Sequence, residues 1–351
     1  MIFKTKNNPE KANDIIETIA AASDWTQLQQ LWLDIESSEN IDNVDQERLA
    51  HMIEGFIATI LSIVGFTKFT GTSLDYKCVL EKEIISILAT QDCGHAEILQ
   101  NVPVIDDYAV CEAQYTVADI DSILAKVADF HRGDHFQEGK YQLNETGWKL
   151  YDPVYMLHRA VVPRLVETAN LRYVTHVSKT TGTKQMNGLK LMPLPKMHDF
   201  YAPLLEILKS RTLHEILLVL LYKNLKKHQI TSGKVLSHTL FLLHWCALQC
   251  DNSTADIFCR CLGNNIDSLV DVLFELYVQT AGTDSTNMST LDDFEPSADL
   301  PVPSIAAMIL TIFKVLKNYD KCSEKLRALF GQDSQMESPG RDRAFFEIFV
   351  F

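Results

Sequence analysis

Metal and thiol chemistry are the first possibilities raised by the residue types. The chain has eight cysteines and 11 histidines among 351 residues. The tightest cysteine groups are Cys246 with Cys250 and Cys259 with Cys261, and His238 and His244 lie upstream of the first. Neither group has the C-x2-C spacing of zinc ribbons and RING modules. Cys246 and Cys250 fall on a predicted helix, and one rigid helix cannot surround a tetrahedral ion. Buried structural thiols in a reducing compartment are therefore expected.

Other chemistry finds no better footing. The chain has no G-x-S-x-G elbow and no phosphate-binding G-x-x-x-x-G-K-[ST] loop. His158 falls on an apolar helix face, where a hydrogen-bonded core or surface histidine is expected. Asp292 and Asp293 sit in an acidic, Ser/Thr-rich stretch and are expected to be solvated. No catalytic residue, bound cofactor or metal is expected in this chain. The residues singled out for contact are instead two cations, Lys140 and Lys149, on a predicted wing.

The elements that carry them run from about Tyr76 to Tyr151. Val79, Leu80, Ile84, Ile87 and Leu88 recur at helical spacing, with Glu81, Lys82, Glu83 and Ser86 between them. A short helix from His95 to Leu99 follows, with Pro103 closing its exit. A third helix places Val117, Ile120, Ile123, Leu124, Val127 and Phe130 on one face. Lys140 to Leu143 and Trp148 to Leu150 then read as two strands joined by a hairpin at Asn144 to Gly147. Asp152-Pro153 ends the wing and starts another helix. Helix, short helix, helix, hairpin is the order of a winged helix.

The fold class expected is mostly α, with a winged helix (three helices plus a β-hairpin) embedded in an extended helical scaffold. Residues 1–72 read as an N-terminal helical segment, with Asp24 as a cap and a broad apolar stripe from Gln46 to Phe66. Residues 73–153 form the winged helix. Residues 154–280 form a helical scaffold, in which Pro163 should kink or split a helix. Ser178 to Gly188 reads as a flexible linker, followed by a proline-pinned extended segment. Residues 281–300 are an acidic linker expected to be disordered, 301–330 hold one C-terminal helix, and 331–351 are a tail.

Charge limits the partners. The formal net charge is −14, with 46% hydrophobic and 22% charged residues. Nucleic-acid binding needs a basic footprint, and the third helix sets Asp119, Asp121 and Asp129 against Lys126, so no nucleic-acid partner is expected. A modest basic cluster at Lys223, Lys226, Lys227 and Lys234 reads as a solvated helix end or as a contact for an acidic partner. The first residues have no apolar leader core, and no apolar run approaches the roughly 20 residues of a membrane span. A protein partner, no membrane, and a cytoplasmic or nuclear location are expected.

The blocks EGFIATILSIV, EKEIISILATQDCGHAEILQNVP, ILAKVADF and GKYQLNETGWKLYDPVYMLHRA, in that order, resemble the central region of the UBR-type N-recognins. These are very large RING-type E3 ubiquitin ligases. LPKMHDFYAPLLEILKS and the helix-rich span down to MILTIFKVLKNYDKCSEKLRALF extend the resemblance over roughly Asp45 to Phe330. It implies a role in protein ubiquitination and N-degron-type degradation, with a ubiquitin-conjugating enzyme and degradation substrates as partners. In that family zinc belongs to the UBR box and the RING, and neither cysteine array is found among these residues. No ligand or catalytic residue carries over, and this chain alone is expected to be inactive. It is expected to be a part of such a ligase or a shortened product. The alternative expectation is a stand-alone winged-helix adaptor for protein interaction.

Overall fold

A computed structural model describes residues 43–66, 76–102, 116–133, 138–159, 163–181, 188–195, 201–227, 233–260, 268–281 and 304–333. The Asp24 cap, residues 282–300 of the acidic linker and the 334–351 end of the tail lie outside the described residues, as do residues 182–187 of the predicted linker.

The winged helix is present. Helices α1 (Asn43–Phe66), α2 (Tyr76–Thr90), α3 (His95–Asn101) and α4 (Val117–Val127) precede strands β1 (Ala128–His131) and β2 (Lys140–Leu143). The strands pair antiparallel, with Ala128 opposite Leu143 and His131 opposite Lys140. Cys93, between α2 and α3, exchanges two backbone hydrogen bonds with Tyr141 and extends the sheet on the far side of β2.

Two features differ from the sequence reading. The third helix stops at Val127, and the residues to His131 are extended, so the hairpin is β1–β2 rather than Lys140–Leu143 with Trp148–Leu150. Trp148 to Leu150 belong to a short helix, α5 (Glu145–Leu150). The reason is that Asn144 caps a helix. Its side chain accepts from Gly147 N at 2.9 Å, and its own N–H donates to the Val127 carbonyl at 3.1 Å. Asn and Gly suit a hairpin turn and a helix start equally well. Gly147 is fixed by close approach: a Cβ there would collide with the Val127 carbonyl oxygen and the Leu143 side chain.

Residues 160–162, just before Pro163, lie outside the described residues. The described helices on either side are α6 (Pro153–Arg159) and α7 (Pro163–Thr181). Residues 178–181, read as the start of a linker, are the last turn of α7. Leu189 to Pro195 are in neither helix nor strand; Leu189, Leu191, Met192 and Leu194 pack on the larger core, and Trp245 Nε1 donates to the Met192 carbonyl at 3.0 Å. A 3-10 helix (Ala202–Lys209) leads into α8 (Arg211–Lys227), α9 (Gly233–Gln249), α10 (Asp256–Cys259) and α11 (Leu269–Ala281).

The single C-terminal helix expected from the sequence is two, α12 (Ile305–Leu316) and α13 (Asp320–Asp333). The turn between them is held from below. Tyr319 Oη donates to the Ala247 and Cys250 carbonyls at the end of α9, at 3.0 and 2.8 Å. These carbonyls near a helix C-terminus have spare acceptor capacity that an added donor fills.

The described residues form two hydrophobic cores. The larger is built by α1 and α8 to α13 around Leu61, Leu217, Phe241, Trp245, Leu273 and Phe313. The smaller is the winged-helix core of Leu80, Ile84, Leu88, Ile120, Leu124 and Val127, and it also takes Met156 from α6 and Tyr173 from α7. The two cores meet at α6, where Val154 belongs to the larger and Met156 to the smaller. Gly65 permits the contact of α1 with α6, because a Cβ there would lie 2.5 Å from Val154 Cγ1.

The larger core contains three histidines, His214, His238 and His244, with exposures of 0%, 4% and 6%. His214 packs its ring on Phe258 with centroids 5.0 Å apart. Burial lowers the pKa of each to about 4. Their folded values lie below the unfolded value, so stability is fully present above about pH 6.5 and is lost as pH falls toward 4. Each group couples folding to protons by on the order of 3 kcal/mol over that window. The urea midpoint is expected to drop from pH 7 to pH 5, and His214→Phe should make that slope shallower. An unchanged slope in H214F would remove His214 from the account.

Candidate protein-docking face and the joint behind it

The outer surface of the winged helix is formed by α4 and the β1–β2 hairpin. Thr116 and Asp119 form a capping box at the start of α4, and each accepts a hydrogen bond from the other's backbone N–H. Those hydrogen bonds from Thr116, with Lys77 beside them, hold the Asp119 carboxyl below its ordinary range. Asp121 meets His95 at 2.8 Å, and Lys126 pairs with Glu81. Asp119 and Asp121 thus have partners at the helix cap and on α3, while Asp129 lies exposed on β1. The exposed residues left between them are Val117, Ala118, Ser122 and Ala125. This face is small and nearly neutral.

Phe130 adds an aromatic ring beside it. It is 54% exposed and packs on Tyr141 with centroids 5.0 Å apart. Its ring also lies over Gly139, where a side chain would collide with it. In the sequence Phe130 completes the apolar stripe of a helix. Because the helix ends three residues earlier, the ring is carried to the surface on β1.

Lys140 and Lys149 are not neighbours on one wing. Lys140 is exposed on β2, opposite His131. Lys149 lies on α5 and pairs with Glu145 one turn earlier at 2.7 Å. Only Lys140 is part of the hairpin. Lys234, from the basic cluster, pairs with Glu167 of α7. The side chains of Lys223, Lys226, Lys227 and His158 lie outside the described residues.

Cys246 and Cys250 are buried in the larger core, and burial raises both thiols. Among the described residues, no group of three or more His, Cys, Asp or Glu side chains could hold a metal ion. No helix among them is long and apolar enough to cross a membrane.

Behind the face lies a buried polar joint that the sequence reading missed. Glu83 and Ser86, taken as the polar side of α2, are 4% and 3% exposed. Tyr155 Oη of α6 donates to Glu83, and Lys82 pairs with Asp152. Asp152 also accepts from the Val154 and Tyr155 N–H groups at 3.1 and 3.2 Å, which caps α6. Arg172 of α7 donates to the Leu88 carbonyl at 3.1 Å and pairs with Asp92. Such a joint is legible only once α6 and α7 are known to fold back over α2.

Lys190 completes the joint. Its amine, buried with 6% residue exposure, donates to the carbonyls of Trp148, Lys149 and Tyr151 at 3.3, 2.5 and 2.9 Å. Burial draws its pKa down to about 8. Beside it Trp148, Tyr151 and Tyr173 form an aromatic cluster, with Trp148 stacked on His176 at 5.6 Å.

The face and the support behind it should separate by mutation. Val117→Ser and Lys140→Glu are expected to change unfolding free energy by no more than about 0.5 kcal/mol. Gly147→Ala should cost about 1–3 kcal/mol, because the α4–α5 backbones must part. Urea denaturation of the three variants measures the contrast.

The comparisons with known proteins agree with this geometry. Residues 79–185 match the family model described as "E3 ubiquitin-protein ligase UBR1-like, winged-helix domain". The chain is 30% identical over 224 residues to E3 ubiquitin-protein ligase UBR3 of Mus musculus, covering 61% of this chain and 11% of that protein. The Homo sapiens UBR3 is 29% identical over 211 residues, or 57% of this chain and 11% of that protein. Ubr3 of Drosophila melanogaster is 23% identical over 223 residues, or 60% and 9%. The chain thus aligns with about a tenth of the length of these curated relatives. Residues 79–185 thus match the winged-helix domain of UBR1-like E3 ubiquitin-protein ligases, and about 60% of the chain is similar to a stretch of the UBR3 ligases.

Proposed function

We propose that this chain is a scaffold portion of a UBR-type E3 ubiquitin ligase acting in protein ubiquitination and in ubiquitin-dependent degradation of the N-degron type. It would hold the winged-helix face at a fixed position relative to the helical body. The observation that carries this reading is the buried joint of Glu83, Tyr155, Asp152 and Lys190 behind the α4 and hairpin face. A joint built from buried hydrogen bonds is directional, so it fixes orientation as well as proximity. Degron reading and engagement of the ubiquitin-conjugating enzyme belong, in this reading, to the zinc-binding UBR box and RING that the sequence does not contain. The setting is cytoplasmic or nuclear, without a membrane or nucleic-acid partner.

A second reading is favoured by Val117 and Phe130, whose exposure of 52% and 54% suits an adaptor that docks a partner through α4 and the hairpin. The two readings are compatible if the partner is a neighbouring module of the same ligase.

The purified chain, incubated with ubiquitin, activating enzyme, conjugating enzyme and ATP, is expected to form no ubiquitin chains. Chain formation in that assay would defeat the scaffold reading.

A further inference from the structure

Two cysteines that the sequence leaves 63 positions apart meet in the larger core. The Sγ atoms of Cys259, at the end of α10, and Cys322, in the first turns of α13, are 3.3 Å apart. Cys322 is buried at 0% exposure, and Cys259 is partly open to solvent. Both are free thiols. A disulfide requires the sulfurs to close to about 2.05 Å, a change within reach of side-chain rotation when the thiols already touch.

The surroundings favour a thiolate on the open cysteine. The Cys322 thiol hydrogen bond lowers the pKa of Cys259, and the Lys325 ammonium lowers it further. Lys325 is itself held at 2.6 Å by both Ser268 Oγ and Asp271 Oδ2. The carboxylates of Asp256 and Asp271 act in the opposite direction. The same contact raises Cys322, so the buried partner keeps its proton.

We propose that Cys259 and Cys322 are a peroxide-sensitive dithiol whose closure to a disulfide clamps α13 onto α10. The Cys259 thiolate attacks one oxygen of hydrogen peroxide, the O–O bond breaks, and hydroxide leaves and is protonated to water. Cys259 is then a sulfenic acid. The Cys322 sulfur attacks the Cys259 sulfur, the S–O bond breaks, and the Cys322 proton departs with the leaving hydroxide as a second water. The two thiols lose two electrons and the peroxide is reduced to water.

The clamp matters because of what α13 rests on in the reduced state. It is held by the Lys321–Asp256 pair, by Lys325 with Asp271, by the buried Leu326, and by Phe330 against Phe274 and Phe313. Lys321 is exposed, Lys325 and Phe330 are only partly buried, and a covalent link would make the attachment of α13 independent of these contacts.

The test uses the full chain with C78A, C111A and C261A, which removes the exposed Cys78 and the two cysteines outside the described residues. The wild-type chain is run beside it. After hydrogen peroxide treatment and alkylation, peptide mapping is expected to find Cys259 linked to Cys322 and the link reversed by dithiothreitol. The link should be lost in C259S and in C322S, and C322S should accumulate a dimedone-trapped sulfenic acid at Cys259. Amide hydrogen exchange in α13 should slow in the linked chain. The proposal fails if both thiols are still alkylated under exposures that oxidise glutathione, or if the link forms between Cys246 and Cys250 instead. Unchanged exchange in a linked α13 would defeat the clamp.

Discussion

The Lys190 amine is where the winged helix and the helical body are tied together. It lies just after the connection out of α7 and reaches back to carbonyls around the end of α5. One residue earlier, Leu189 N–H donates to Met308 Sδ of α12 at 3.4 Å. Two consecutive residues therefore bond to opposite cores. A buried ammonium is costly unless its donors are satisfied, and here three carbonyls satisfy them. Removing it would leave those acceptors without their partner, each loss costing about 1–3 kcal/mol in a buried setting.

Much of the architecture can be read from periodicity. The broad apolar stripe of α1 and the long apolar runs of α8 and α9 predict buried helices, and Ile57, Leu61, Leu217, Phe241 and Leu243 are at 0% exposure. The hairpin was less legible. Phe130 satisfies a helical pattern and an exposed strand equally well, and Asn144 to Gly147 suit a turn as readily as a cap. Tertiary hydrogen bonds, from Asn144 to Val127 and from Cys93 to Tyr141, decide between them. Local pattern contains neither.

The joint and the dithiol were illegible for a related reason. Glu83 and Lys82 look like the solvent side of an amphipathic helix until α6 and α7 cover them. Cys259 and Cys322 are far apart in sequence, and the nearby Cys261 draws attention first. Pairing across long separations is a property of the fold. It also explains the acidic character of α4: with Asp119 and Asp121 given to capping and to His95, the charges serve the domain's own architecture.

The placement of Val154 and Met156 has a consequence for how the molecule can be divided. They are two residues apart on one helix, yet each is packed in a different core. A cut in the chain beside α6 would strip packing from the winged helix and the body together, and Gly65 sits against the same short helix. The two cores should therefore behave as one cooperative unit rather than as beads on a string. The border between them is an interface through the middle of a helix, which no choice of fragment ends can leave intact on both sides.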